Sequence, residues 1–334
     1  MIGTGETPGR KNPLNEHNHA VSCLVLGGSG FIGSRLVTAL SENGYAVRSF
    51  DRLDPRPEIA RLERVEFIKA DLQNDAQLRR AVAASDICFH LASTTIPKNS
   101  NDDPAFDLTS NVVATLRLLD ACRDANVAKV VFLSSGGTVY GRALYAPIPE
   151  THPTDPLCAY GVARLSIEKY LHLYRWLHGL DHCILRAANP YGPGQKSEAG
   201  QGAIGVFLGR ILKRQTIEIW GDGSVVRDFV YVDDLVQALV ASIRYRGEPR
   251  IINIGSGRGH SLNEILGELS KTTGRQLSVS YQPGRAFDVP LNVLDISLAR
   301  GSLAWEPTIG LSEGLRRTWT WITDQAAAGA GEAR

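Results

Sequence analysis

Tyr160 and Arg164 lie four residues apart, so on a helix they share one face, a turn from each other. A phenol ordinarily ionises at a pH of about 10, which makes it a poor base near neutrality. A fixed cation beside it favours the phenolate. Such a pair is a proton acceptor of the kind that hydride transfer from an alcohol needs. Ordinary surface helices carry similar pairs, so its weight depends on the company it keeps. That company is Gly27, Gly30 and Gly33, spaced G-x-x-G-x-x-G after the apolar run Val21-Ser22-Cys23-Leu24-Val25-Leu26. Glycines there let the backbone turn tightly and approach a pyrophosphate seated on the N-terminus of the next helix, which opens at Phe31 and Ile32. A second strand-like run, Ala46-Val47-Arg48-Ser49-Phe50-Asp51, ends in a carboxylate suited to the adenosine ribose hydroxyls. Asp51 repels a 2′-phosphate, which favours NAD over NADP, and the adjoining Arg52 softens that preference.

The elements that must position these residues alternate along the first half. Strand-like runs occupy 21–27, 45–51, 65–69, 86–91, 128–134 and 181–187, and helical stretches 31–42, 74–84, 107–125 and 160–178. The alternation predicts an α/β fold with a Rossmann-type, doubly wound parallel sheet. After Arg186 the texture changes to a loop, Asn189-Pro190-Tyr191-Gly192-Pro193-Gly194-Gln195, then an apolar helix and a short strand at 216–220. Residues 225–245 read as strand then helix, 251–255 as strand, and 262–273 as helix. Strands 225–232 and 251–255 are expected to extend the first sheet. The expected division is a dinucleotide-binding domain at 20–187 plus about 225–256, and a smaller C-terminal substrate-binding lobe at about 188–224 plus 257–325. Residues 1–19 and 326–334 are expected to be flexible tails.

The chain has 334 residues, enough for a large core. With 36 basic and 35 acidic residues the net charge is +1, so nothing points to nucleic acid or a membrane surface. No apolar run approaches a membrane span, and residues 1–20 lack an apolar signal-peptide core. A cytoplasmic protein is expected. The five cysteines show no metal-ligand spacing. Cys23, Cys88 and Cys183 fall in apolar strands; Cys158, two residues before Tyr160, reads either as a reactive thiol or as an unremarkable small residue.

Further motifs follow in order: Asp71-Leu72, His90-Leu91-Ala92-Ser93, Asn111, Ser134-Ser135-Gly136-Gly137-Thr138-Val139-Tyr140-Gly141, Val226-Arg227-Asp228-Phe229 and Arg285-Ala286-Phe287-Asp288. From about residue 21 to 322 the chain resembles the extended short-chain dehydrogenase/reductase family, in particular its UDP-sugar 4-epimerases. The resemblance implies that Asp71 and Leu72 reach the adenine, and that Leu91, Ala92, Ser93 and Asn111 line the cofactor groove. It implies that Thr95, Gly136, Asn189, Gln201, Gly202, Arg227, Arg285, Asp288 and Asn292 face a nucleotide-sugar. Arginines suit a diphosphate because guanidinium binds phosphate bidentately, and the carboxylates beside Arg227 and Arg285 are expected to orient them. The implied reaction has Tyr160 take the proton of the sugar 4-hydroxyl while hydride passes to bound NAD. The 4-keto sugar then turns and takes hydride back on its other face. A homodimer through helices 107–125 and 160–178 is implied as well.

Two positions depart from the family's pattern. Arg164 stands where the family has lysine, keeping the charge with a different geometry. Gly136 stands where many relatives carry the Ser or Thr that bonds the 4-hydroxyl, and Ser135 and Thr138 are the nearby hydroxyls that can compensate. Gly136, Gly202 and Asn292 are small, which suggests a roomy pocket able to admit an N-acetyl group. Dehydratases and decarboxylases of the family place a carboxyl just before Val-Tyr-Gly; Gly137 and Thr138 stand there instead, so elimination lacks its acid/base. The alternatives are another nucleotide-sugar dehydratase or reductase, or a weakly active protein that binds NAD and nucleotide-sugar.

Overall fold

The structure, a computed structural model, describes residues 21–196, 202–284 and 289–332. Chain order runs β1 (Ser22–Leu26), α1 (Phe31–Glu42), β2 (Ala46–Asp51), β3 (Val65–Lys69), α2 (Asp75–Val82) and β4 (Ile87–His90). Then come α3 (Pro104–Asp107), a π-helical turn (Leu108–Val113), α4 (Ala114–Asp124), β5 (Lys129–Ser135), α5 (Ala159–His178), β6 (His182–Ala187) and β7 (Asn189–Tyr191). The rest is α6 (Ala203–Leu212), β8 (Ile217–Trp220), β9 (Val226–Tyr231), α7 (Val232–Ser242), β10 (Ile251–Ile254), β11 (Gly259–Ser261), α8 (Leu262–Thr273), β12 (Val279–Gln282), β13 (Leu291–Asn292), α9 (Ser297–Leu303) and α10 (Leu311–Glu332).

A seven-stranded sheet runs in the order β10-β6-β5-β4-β1-β2-β3. The pairings of β1 with β2 and β4, of β2 with β3 and of β4 with β5 are all parallel. The chain reverses direction across the sheet at β1, and a doubly wound sheet binds its ligand where that reversal occurs. Two compact units emerge. One comprises the described residues of Met1–Ser93, Leu108–Leu133 and Ser166–Ile184; the other comprises those of Thr94–Asp107, Ser134–Leu165 and Leu185–Arg334.

The first unit is built on β1 to β4 and most of β5. Cys23, Leu24, Val25, Leu26, Ile87 and Phe89 are buried, as are Val130 to Phe132, because strands covered on both faces need apolar residues on both. Helix α2 starts where the Asn74 side chain accepts from Gln77 N at 3.1 Å, an N-cap that satisfies one otherwise orphaned donor. The stretch expected as one helix over 107–125 instead contains the π-helical turn around Asn111. The Asn111 carbonyl accepts from Thr115 Oγ1, whose oxygen also lies 2.8 Å from His90 Nε2. Such π turns gather at functional sites, and periodicity alone does not reveal them.

The second unit carries a four-stranded sheet centred on β9. Strand β9 pairs antiparallel with β11 and parallel with β13 and β7. A second core forms beneath it from Tyr191, Phe207, Leu208, Ile219, Phe229, Tyr231, Ile265 and Leu315. The expectation that β9 extends the first sheet is corrected here; of the two candidates only β10 does so. Asp228 supplies the reason. Its side chain is fully buried and accepts from Ser256 N (2.7 Å), Ser256 Oγ (2.6 Å), Gly257 N (3.2 Å) and Leu294 N (3.3 Å). A buried carboxylate needs such donors, and the loops beside the small sheet provide them.

Candidate active site

The glycine loop belongs to the first unit. Gly27 adopts φ +88°, where an L side chain is strained. A Cβ on Gly33 would lie 1.9 Å from the Gly27 carbonyl oxygen, so helix α1 meets the turn at a distance only glycine permits. Gly30 is the N-cap of α1 and makes no side-chain cap, and the first turn holds no acidic residue. Its N–H groups and positive dipole end are therefore suited to an anion. Asp51, at the end of β2, accepts from Ser29 N and Leu53 N, each at 3.0 Å. Arg56, which sequence reading passed over, donates its Nε to Ser29 O at 3.0 Å and braces the same turn. Arg52 is exposed. An uncapped helix N-terminus behind a glycine turn, with a carboxylate ending the second strand, fits the pyrophosphate and ribose of NAD.

The other residues expected at the cofactor lie in the same unit. Leu72 is buried, and the Asp71 carboxylate accepts from Gln73 N at 2.9 Å. Leu91 and Ala92 are half-buried, with the Ala92 backbone against Gly27. Ser93 Oγ lies 3.4 Å from the oxygen of the buried Asn111 side chain. Phe31 and Ile32, half-buried, open α1.

Tyr160 and Arg164 lie on the first turns of α5, in the second unit. Ala159 N donates to Asn101 Oδ1 at 2.8 Å, fixing the helix start. Gly161 brings that start onto the end of β5, since a Cβ there would lie 2.9 Å from the Thr138 carbonyl oxygen. Tyr160 is half-buried and Arg164 is buried. The guanidinium carbon sits 4.8 Å from the centroid of the Tyr160 ring, a cation–π contact. The cation thus lies over the ring, as the i, i+4 spacing predicts, and Lys169 is exposed on another face. Burial pushes the Cys158 thiol up, with backbone hydrogen bonds from Gly161 and Tyr160 opposing. A raised thiol is a poorer nucleophile near neutral pH, which favours reading Cys158 as an unremarkable small residue.

At the end of β5 the three hydroxyl and glycine positions have different fates. Gly136 opens no space: a Cβ there would meet Leu294 Cδ1 at 2.6 Å and the Arg186 carbonyl oxygen at 3.1 Å. Asn292 is buried and donates its Nδ2 to Gly136 O at 3.0 Å. The small size of Gly202 is likewise filled, here by the Gln195 side chain, whose Nε2 would lie 2.2 Å from a Cβ. The roomy pocket expected from Gly136, Gly202 and Asn292 is therefore corrected: packing within the unit uses that room. Thr138 Oγ1 is sealed from solvent without a hydrogen-bond partner. Thr95 is buried, and its hydroxyl is held by Asp107. Ser135 is half-buried.

Asn189 donates its Nδ2 to the Asp228 carbonyl at 3.0 Å. Asp228 does not orient Arg227 as expected, because its carboxylate serves Ser256, Gly257 and Leu294. Arg227 donates to Val226 O at 3.0 Å and sits in register with Asn292 and His260. Gln201, Arg285 and Asp288 lie outside the described residues. For Gly137, which sequence reading left out of the site, a Cβ would lie 3.9 Å from Ser135 Oγ and 4.0 Å from Asn189 Oδ1 among the described residues. Its sequence signal is that it stands where dehydratases and decarboxylases of the family place a carboxyl. No group able to hold a metal is present among the described residues, and no helix there is long and apolar enough to cross a membrane.

Known proteins share this arrangement. Residues 23–255 match the model of the NAD dependent epimerase/dehydratase family. The UDP-glucose 4-epimerase of Thermotoga maritima, solved with UDP-glucose, is 35% identical with a TM-score of 0.88, covering 92% of this chain and 100% of its own. The UDP-N-acetylglucosamine 4-epimerase of Methanobrevibacter ruminantium, in complex with UDP-N-acetylmuramic acid, is 30% identical with a TM-score of 0.86, covering 92% and 99%. The UDP-glucuronic acid 4-epimerase of Bacillus cereus, in complex with UDP-glucuronic acid and NAD, is 30% identical with a TM-score of 0.83, covering 91% and 100%. A glycine turn fit for a dinucleotide, a tyrosine with its cation one helical turn on and a family match across both make this chain a member of the NAD dependent epimerase/dehydratase family.

Proposed function

We propose that this protein is an NAD-dependent isomerase that inverts C4 of a UDP-hexose or UDP-N-acetylhexosamine through a transient 4-keto sugar. The observation that carries the reading is Tyr160, half-buried beside the end of β5 with a buried cation against its ring. NAD held at the glycine turn supplies the hydride acceptor for the first half-reaction and the donor for the second. Tyr160 takes the proton of the sugar 4-hydroxyl as C4 is oxidised, and returns it when C4 is reduced from the other face. Arg164 keeps a positive charge beside the phenol through both steps. Ser135 offers the hydroxyl that steadies the reacting oxygen, because Thr138 is sealed and residue 136 has no side chain. Arg227, together with Arg285, anchors the diphosphate while the keto sugar turns. The reading keeps the two-lobe division expected from the sequence, a cytoplasmic location and no nucleic-acid or membrane partner. It also includes a homodimer through α4 and α5.

The test is product analysis by NMR with a panel of UDP-sugars. Tyr160→Phe keeps the ring and removes the proton acceptor, so turnover falls by roughly 10²-fold or more with NAD still bound. Full turnover in Tyr160→Phe refutes the role given to Tyr160; no conversion of any UDP-sugar by the parent protein refutes the reading as a whole.

A further inference from the structure

Tyr160 is the second residue of α5 and Gly161 the third. A helix frays first at its ends, and glycine is the poorest helix former after proline. The proposed base thus stands on the turn of α5 least able to hold itself. The backbone donors of that turn show what holds it. The Cys158 sulfur accepts from the Tyr160 and Gly161 N–H groups, and Cys158 O accepts from Val162 N at 3.1 Å. Neither acceptor can meet the N–H of the very next residue at a usable angle. That donor, Ala159 N, goes to Asn101 Oδ1 instead, 2.8 Å away and 58 residues earlier in the chain. The loop around Asn101 is pinned on both sides. Before it, Ile96 O accepts from Asn99 N and Ser100 N, each at 3.1 Å, Asn99 Oδ1 accepts from Ile96 N at 2.9 Å, and Ser100 is fully buried. After it, Asp103 Oδ1 accepts from Phe106 N at 2.9 Å, and Asp103 O accepts from Asp107 N at 3.0 Å. This loop and the start of α5 belong to one compact unit.

We propose that Asn101 is a positioning residue for the reaction: it caps α5 from a distant loop, keeps the first turn wound and so holds the Tyr160 phenol at the reacting oxygen. The inference rests on the epimerase reading and adds to it a residue that acts through the helix and not on the sugar. The rest of α5 does not need this cap. Ile167 and Leu171 are buried, and the helix runs on to His178. Loss of the Asn101 acceptor therefore loosens one turn and leaves the fold in place. A displacement of about 1 Å at a reacting group can slow a reaction by roughly 10²-fold, so a loosened first turn is felt in the chemical step. Substrate binding, which other residues carry, is not affected.

The experiment measures steady-state kinetics on the NAD-loaded full chain with UDP-glucose and UDP-N-acetylglucosamine. Asn101→Ala should lower kcat about 2- to 30-fold, the range that follows from the loss of a helix cap, with KM and bound NAD unchanged. Asn101→Asp keeps the acceptor, and its charge suits a helix N-terminus, so it should recover most of the parent kcat. Ala159→Pro removes the donor and presets the backbone angle of a first helical residue. Asn101→Ala made in that background should therefore cost nothing further. A parental kcat in Asn101→Ala, an Asn101→Asp as slow as Asn101→Ala, or the same loss with and without Ala159→Pro each overturns the proposal. If the parent converts neither sugar nor any other of the panel, the epimerase reading fails on its own account. Amide hydrogen exchange over residues 158–165 then decides the cap: faster exchange in Asn101→Ala, returned to the parent rate in Asn101→Asp, supports it, and equal rates in all three overturn it.

Discussion

Arg164 is buried against the Tyr160 ring, its guanidinium carbon 4.8 Å from the ring centroid. A planar guanidinium can lie flat on a ring while its edges reach other partners; a lysine ammonium is a compact point charge and cannot fill the same volume. Arg164→Lys should therefore lower turnover even though it restores the family's usual residue. A cation–π contact is worth about 0.5–2 kcal/mol, and about 1.4 kcal/mol is tenfold in rate, so the expected loss is a few-fold to roughly thirtyfold. Arg164→Ala should lose more and release NAD more readily. Both are read by steady-state kinetics and by the dinucleotide recovered from denatured protein, and a lysine variant faster than the parent contradicts this view of the site. The local geometry of Tyr160, Arg164, Gly27, Gly30, Gly33 and Asp51 follows from the sequence because each is set by neighbours within one or two local elements. The fates of Gly136, Thr138 and Asn292 do not. The Asn292 bond to Gly136 spans 156 residues of chain, and no local pattern announces a partner that distant.

At the scale of elements, β5 ends in a turn held by β6 and β13: Gly136 N donates to Ala187 O at 2.8 Å, and Gly136 O accepts from Asn292 Nδ2 at 3.0 Å. Gly136→Ser drives a side chain into Leu294 and toward the Arg186 carbonyl. Overpacking of this kind costs about 1–3 kcal/mol, seen as a lower melting temperature, and Leu294→Ala in the same chain should recover part of it. A single Gly136→Ser with parental stability and improved turnover contradicts the packing described. The segment after β5 is tied to β10 by Glu150, whose Oε1 accepts from Asn253 N at 2.7 Å. Burial, the largest effect, pushes the Glu150 carboxyl above its ordinary value. A carboxyl raised in the folded state holds its proton more tightly there than in the unfolded chain. The stability this gives is present at low pH and is lost as pH rises through the raised value. Glu150→Gln keeps an acceptor without the charge, so its melting temperature should exceed the parent's at pH 8, with the gap closing as pH falls toward 4. The alternation of strand and helix made most elements legible, with α1, β3 and α8 ending where expected. The sheet to which β9 belongs was not legible, since apolar strands of either sheet read alike and Asp228 finds its donors only in the folded chain.

The whole molecule exposes more apolar surface on α5 than a lone helix face needs. Val162, Leu173, Trp176 and Leu177 are 46%, 41%, 83% and 59% exposed, and large exposed apolar groups in one region mark contact surfaces. Within the stretch 107–125, Val113 and Leu116 are half-buried and Leu119 is core. A homodimer that covers the α5 face predicts a dimer mass by light scattering at micromolar concentration. Trp176→Glu with Leu173→Asp should then give a folded monomer. A parent chain that is already monomeric refutes the dimer. The class of fold could be read from the sequence because a parallel sheet leaves its mark on every strand. The compact units interleave along the chain: Ser134–Leu165 precedes β6 yet clusters with residues after it.

The interlock of Gly136, Asn292 and Leu294 also constrains the routes by which this site can be remade. Leu294 occupies the room a side chain at 136 needs, and Asn292 holds the carbonyl of the same residue. Adding a hydroxyl at 136 alone meets a filled space, and emptying position 294 alone leaves a cavity. Each single step runs downhill in stability, while the pair of steps costs less than the two losses added together. The effect of one substitution thus depends on the state of the other. A library that varies 136 one position at a time will record it as intolerant, whereas one that varies 136 and 294 together will find the hydroxyl accepted.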